Sequence, residues 1–218
     1  EKGKRIAGHV LEANPADIEY AIGEFRIMGT DRSLGLFEAA GQEGLPEELT
    51  GGLEGAAQVT ELIPAYPNGT HVVEVEVEID SGIVRVVRYT AIDDVGRIIN
   101  PLIVDGQTHG GIAQGVGQAL MENGVYASDS GQLIAGSFMD YTMPRADDLL
   151  NYDLEFNEVI APSTRFGVKG GGEGGATGAP AAVIGAIVDA LSEFNIRHIE
   201  MPATPERVWQ AIRNARDH

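Results

Sequence analysis

The chain has 218 residues, 43% of them hydrophobic, with 15 Lys+Arg against 33 Asp+Glu, a formal net charge of -18 and no cysteine. That length can bury a sizeable core in one large or two small domains, and the acidic balance, with no basic cluster to offset it, excludes nonspecific nucleic-acid binding. Lack of cysteine excludes disulfides, thiolate nucleophiles and cysteine-ligated zinc or iron–sulfur clusters on this chain.

A mean hydropathy of -0.06 is that of a soluble globular protein, and no apolar run reaches the roughly 18 residues that a membrane span needs. Glu1-Lys2-Gly3-Lys4-Arg5 has neither an initiator Met nor a signal-peptide core behind it, which reads as a chain trimmed or cut from something longer. The histidines His9, His71, His109, His198 and His218 are scattered without two-ligand spacing, so each reads as structural or exposed.

Lys2 to Glu12 carries Ile6, Ala7, Val10 and Leu11 at helical spacing, an amphipathic helix that Asn14-Pro15 stops. Ile18, Tyr20, Phe25 and Ile27 alternate with polar residues about Ile22-Gly23, which predicts a small hairpin. Thr30-Asp31-Arg32-Ser33 offers caps for a helix through Leu34, Leu36, Phe37 and Ala40. The stretch from Gly41 to Gly69 is irregular and long enough that a partner is expected to cover it.

From His71, Val73, Val75, Val77 and Ile79 alternate with Glu74, Glu76 and Glu78, a half-buried strand with an acidic outer face. Asp80-Ser81-Gly82 turns it, and Ile83 to Ile92 returns with Arg85 and Arg88 near the opposing glutamates. Asp93-Asp94 at the strand end admits a metal reading, with turn chemistry preferred. Leu102 to Asn123 predicts a helix despite Gly106, Gly110, Gly111, Gly115 and Gly117, each of which lowers helix propensity by about 1 kcal/mol relative to alanine. Gln114 and Gln118 share one face of it, either as surface amides or as a pair aimed at a polar heterocycle.

Gly124 to Ser137 predicts a turn at Ser128-Asp129-Ser130-Gly131 between short strands, Phe138 to Pro144 a loop, and Tyr152, Leu154, Phe156 and Val159 another strand. Ile196 to Ile199 predicts a short strand, and Thr204-Pro205-Glu206 caps a last helix in which Trp209 reads as a core anchor.

Phe166 to Pro180 is the least ordinary stretch, crowded with glycines and broken only by Lys169 and Glu173, with an apolar helix expected from Ala176 to Leu191. Three readings stay open for it: a tight turn or tether, a phosphate cradle that lacks the P-loop ending, and a cofactor-facing loop presenting one general base.

Five segments, taken in order, resemble one family. They are Gly96-Arg97-Ile98-Ile99-Asn100-Pro101, the run Gly106 to Gly115, Ser137-Phe138-Met139-Asp140-Tyr141, the Gly-Val-Lys-Gly-Gly-Gly-Glu loop ending at Glu173, and Arg197-His198-Ile199-Glu200-Met201-Pro202. Together they resemble the molybdenum hydroxylases, in particular large subunits of the aerobic carbon monoxide dehydrogenase type, related to aldehyde oxidases and xanthine dehydrogenases. The likeness covers nearly everything after about Thr70.

The resemblance implies an α+β fold, a mixed sheet with packed helices, forming over 1–218 the C-terminal, second molybdopterin-binding domain of a larger catalytic subunit. A peripheral segment 1–69 would precede a cofactor-facing core 70–218. It implies that Glu173 stands beside the molybdenum as the base that deprotonates the hydroxyl attacking substrate carbon, and that partial burial brings its pKa nearer neutrality. Gln114 would hydrogen-bond the metal end of the cofactor, and Lys169, Gly170, Gly171 and Gly172 would line the molybdopterin, Gly171 departing from the bulkier residue expected there. No residue is expected to bind the metal directly.

The implied reaction is oxidation of carbon monoxide, an aldehyde or an N-heterocycle with water as oxygen source. Electrons would leave for Fe–S and FAD carriers, which the lack of cysteine places on other domains or chains, in a cytoplasmic, oligomeric enzyme that the chain alone leaves incomplete. The alternative is a noncatalytic fragment, or an assembly or binding module without the first cofactor domain.

Overall fold

A computed structural model describes residues 1–56, 58 and 63–217. The chain divides into two compact units, Glu1–Leu62 and Ile63–His218. His218 and part of the irregular Gly41–Gly69 stretch lie outside the described residues.

In the first unit, helix α1 (Lys2–Val10) buries Gly3, Ile6, Ala7 and Gly8. Ile6 and Ala7 join Ile18, Phe25, Leu34, Ala39 and Leu49 in one small core. Strands β1 (Ile18–Ala21) and β2 (Glu24–Ile27) form the expected hairpin, with Ile22 and Gly23 at φ 50° and 81°, the paired positive φ values of a two-residue turn.

The segment after it differs from expectation. Ser33–Gly35 is a third strand, β3, which pairs Leu34 with Phe25 of β2, so helix α2 is confined to Leu36–Ala40 with Gly35 at its N-cap. Strand pairing buries Leu34 in the core, whereas Thr30 turns the chain by donating to Ile27 O and accepting from Arg32 N. Leu49, on a 3-10 turn over Glu47–Leu49, ties down part of the irregular stretch.

The second unit is built on strands β4 (Asn68–Val77) and β5 (Val84–Asp94), antiparallel, with β6 (Asp153–Phe156) parallel to β5. The mixed sheet matches the α+β expectation. Glu74 opposes Arg88 at 3.7 Å and Glu76 opposes Arg85, so the acidic edge of β4 is met by exposed arginines.

Helices α3 (Pro101–Leu120) and α4 (Gly174–Ala190) pack against one another, and α4 lies on β4. Ile112, Val116, Val183 and Ile187 share the core with Tyr89 and Ala91. Glycines that weaken both helices let them approach: a Cβ on Gly175 would lie 2.6 Å from Thr108 O, and one on Gly115 2.6 Å from the Ala179 methyl.

Helix α5 (Pro205–Arg216) begins as expected at Thr204, whose hydroxyl accepts from Arg207 N, and buries Val208 and Ile212. Trp209 is no core anchor. It is half-buried, packs over the Gly82 turn and carries the Arg213 guanidinium 4.8 Å above its ring.

Residues 196–199 form no strand. The chain after them is held instead by Arg207, which donates to Met201 O and Pro202 O. Between Gly124 and Ser137 the turn is present, but its flanks make a single bridge, Tyr126 to Leu133, rather than two strands. No helix among the described residues is long and apolar enough to cross a membrane.

Candidate functional site

Strand β5 runs on to Asp93 and Asp94, both 6% exposed, so the turn expected there begins only after them. Among the described residues no group of three or more His, Cys, Asp or Glu could hold a metal.

The two neighbouring carboxylates point to opposite sheet faces and serve different partners. Asp94 accepts from Gly96 N at 2.8 Å and Val159 N at 3.1 Å and pairs with the Lys169 ammonium. Burial pushes its carboxyl up, but the hydrogen bonds from Lys169, Gly96 and Val159, with the lysine charge, hold it below the usual carboxylate range. Asp93 lies 3.2 Å from His71 Nε2, and His71 Nδ1 lies 2.6 Å from the Tyr89 hydroxyl. Burial, then Tyr152 and Asp93, pushes the Tyr89 phenol well above its ordinary value.

These contacts place the glycine-rich loop. Lys169 N donates to Val95 O and Gly170 N to Ala65 O, while Arg97 N donates to Gly167 O, so 167–170 are laid along 95–97. Gly96 sits at φ 67° with the Gly167 carbonyl and Lys169 against it, leaving no room for a side chain. Lys169 therefore has its side chain behind the loop.

Gly170, Gly171 and Gly172 line a cavity of about 710 Å³ with Gly69, Asp93, Glu173 and the segment 64–68. Gly171 is backed by Val95, where a Cβ would sit 2.7 Å from a valine methyl, which accounts for the absence of a bulkier residue.

Helix α4 starts two residues earlier than expected, with Glu173 as its N-cap residue and Pro180 inside it. The Glu173 side chain makes no capping bond and is exposed, so the burial expected for it is not supplied by this chain. Among the described residues the N–H groups of Gly171, Gly172, Glu173, Gly174, Gly175 and Ala176 have no partner. Such a run at a helix start favours an anion or an oxygen-rich ligand.

Gln114 is exposed on α3 and lies outside the cavity lining. It shares a helix face with Gln107, two turns earlier, whose Nε2 lies 3.4 Å from where a Cβ on Gly172 would be. Sequence reasoning gives Gln107 no role, His71 a structural or exposed one and Asp93 a turn, with a metal reading as the alternative, so it misses all three as residues at or beside this cavity. The available signal was the seven-residue spacing of the glutamines, and the alternation of β4 and β5, which continues past the valines to Gly69, His71, Tyr89, Ala91 and Asp93 on the face beneath α4.

A family profile described as the molybdopterin cofactor-binding domain matches residues 1–150. The chain is similar to 6-hydroxypseudooxynicotine dehydrogenase complex subunit gamma of Paenarthrobacter nicotinovorans, 37% identical over 96% of this chain and 27% of that one. Among solved structures it resembles reconstituted CO dehydrogenase from Oligotropha carboxidovorans, with 30% identity and TM-score 0.93 over 100% of this chain and 27% of that one. It also resembles quinoline 2-oxidoreductase from Pseudomonas putida 86, with 34% identity and TM-score 0.84 over 97% of this chain and 28% of that one. The chain thus spans about a quarter of the length of the relatives it matches.

Proposed function

Because this chain belongs to the molybdopterin cofactor-binding domain family, we propose that it is the C-terminal cofactor-binding part, over 1–218, of the large subunit of a molybdenum hydroxylase. The single observation that carries the reading is the cavity at the start of α4, where Glu173 is the carboxylate that stands exposed among the glycines of the loop Gly170 to Gly174.

The residues present fit the group. Gly69, Gly170, Gly171, Gly172, Gly174 and Gly178 leave part of the cavity wall without side chains, and the unpartnered N–H groups of Gly171, Gly172, Glu173 and Gly174 match phosphate and other oxygen acceptors. Gly170, Gly171 and Gly172 would hold the molybdopterin by backbone contact. Lys169 would act from behind, by fixing the loop on Asp94, and Gln114 and Gln107 would offer amides from α3. When bound, the cofactor supplies a two-electron oxidation of substrate carbon with oxygen drawn from water.

This chain's own contribution is a proton acceptor. Glu173 Oε takes the proton of the attacking hydroxyl, and its exposure here is removed when the rest of the large subunit closes over the rim, which desolvates the carboxylate and makes it a better base. Electrons pass to Fe–S and FAD carriers on partner domains or chains, since a chain with no cysteine has no thiolate to ligate a cluster. The substrate is a small carbon compound, with an N-heterocycle favoured over carbon monoxide because relatives named for nicotine derivatives share 35–37% identity and those named for carbon monoxide share 29–30%.

Glu173→Gln in the complete enzyme is expected to lower turnover by about 10²- to 10⁴-fold with molybdopterin content unchanged. Undiminished turnover would sink the reading.

A further inference from the structure

Beneath the glycine loop lies a polar chain that the proposed reaction does not use. His71, Tyr89 and Asp93 occupy the one face of the β4–β5 pair that α4 covers. His71 and Asp93 side chains are 7% and 8% exposed, and Tyr89 is fully buried.

Two glycines make room for them. A Cβ on Gly69 would collide with Asp93 Oδ1, and one on Gly178 would lie 2.7 Å from His71 Nδ1.

The hydrogen positions follow from the partners. In the neutral tautomer of His71 that serves the Asp93 carboxylate from Nε2, Nδ1 is an acceptor and the Tyr89 hydroxyl donates to it at 2.6 Å. The ring proton is then on Nε2 and is donated to Asp93 Oδ1 at 3.2 Å. Both donations run toward Asp93, which holds it as an oriented carboxylate. Its second oxygen, Oδ2, has no hydrogen-bond partner among the described residues and lies 3.9 Å from where a side-chain carbon on Gly174 would sit, at the cavity wall.

The cavity lining therefore offers hydrogen-bonding groups of both kinds. Unpartnered N–H groups belong to Gly171, Gly172, Glu173 and Gly174 in its lining, and a fixed acceptor stands at Asp93. Pro64, Ala65, Tyr66 and Pro67 supply an apolar wall between open glycine surfaces, suited to a flat ring. A ligand that carries both an oxygen acceptor and an N–H group finds a partner for each.

We propose that Asp93 Oδ2 accepts a hydrogen bond from an N–H group of a flat nitrogen heterocycle in this cavity, with His71 and Tyr89 as the positioning residues that aim it. The inference rests on the cofactor reading above. The heterocycle has two possible sources, the pterin ring of the cofactor or a heterocyclic substrate.

Asp93→Asn in the complete large subunit with its partner subunits tests it. Asparagine keeps an oxygen for His71 Nε2 and puts an N–H2 group where Oδ2 stands, so the scaffold bond survives while polarity toward the cavity is reversed. The readouts are molybdopterin content as oxidised fluorescent pterin, the Tm of the cofactor-free protein, and KM for an N–H-bearing heterocycle beside benzaldehyde, which has none.

The expected result is a fall in pterin content of about tenfold or more, since loss of a charge-assisted hydrogen bond is worth that much in binding, at unchanged Tm. Unchanged content with KM raised about tenfold for the heterocycle alone supports the substrate as source. Unchanged content and unchanged KM values in Asp93→Asn overturn the inference, as do losses in Asp93→Asn that track a lowered Tm of its cofactor-free protein. Tyr89→Phe, which frees the histidine tautomer, is expected to weaken the same readout by less. Wild-type subunit devoid of molybdopterin would overturn the cofactor assignment itself, an outcome separable from a loaded wild type beside an equally loaded Asp93→Asn.

Discussion

The Lys169 ammonium meets the Asp94 carboxylate behind the glycine loop, joining the end of β5 to a residue 75 positions later. Their side chains are 12% and 8% exposed, so neither charge has water to fall back on. The bond sets where the loop begins, and Glu173 follows four residues on. Lys169→Met is expected to cost about 3 kcal/mol, because it strands a buried carboxylate, and urea unfolding monitored by circular dichroism measures it. Asp94→Asn should cost as much, and the double variant less than the sum.

Acid should act on the same carboxylate. Its folded pKa is depressed below the unfolded value of about 3.9, so the stabilisation is fully present above about pH 4 and is lost as pH falls through the folded value. Urea midpoints measured between about pH 5 and 2.5 should fall more steeply for wild type than for Asp94→Asn. Parallel curves would show that Asp94 is not the group responsible.

Helix glycines should divide into two classes. Gly175→Ala places a methyl against Thr108 O and Ile112 N, and Gly111→Ala places one 2.9 Å from Ala176 N. Each should destabilise by about 1–3 kcal/mol through overpacking, despite the better helix former. Gly106→Ala and Gly110→Ala meet nothing within 4 Å, and each should stabilise by up to about 1 kcal/mol. Thermal unfolding of the four variants separates the classes by sign.

The tyrosines offer a matched pair. Tyr152 buries a hydroxyl with no partner among the described residues, so Tyr152→Phe should be neutral or stabilising by up to about 1 kcal/mol. Tyr89→Phe keeps the ring in the core but removes the donor to His71, and should cost about 1 kcal/mol. Denaturation midpoints of the two variants should move in opposite directions or differ by at least that amount.

Strands β4 and β5 could be read from the period-two valines, and α5 from the Thr204-Pro205 start, because those signals are local. The predicted helix start before Leu34 and the strand at 196–199 failed for the converse reason, although the helix itself is present over Leu36–Ala40. Whether Leu34 pairs with Phe25 or begins a helix depends on which neighbour buries it, and 196–199 found no ladder to join. Glu173 and the glycines stood out by composition. His71, Asp93 and Gln107 did not, since a polar residue on a predicted inward face gives no sign of its partner until the strands are paired.

What the sequence by itself determined was the set of periodic elements, the family likeness and the lone carboxylate among glycines, because periodicity, motif order and composition are all properties of neighbouring residues. Tertiary structure alone decided that Lys169 turns behind its loop to Asp94, that Gly111 of α3 and Gly175 of α4 serve backbone contact, and that Asp93 and His71 lie under the cavity. Each of those depends on atoms brought together by packing from positions far apart in the chain, and a burial cost or a close approach exists only once they meet.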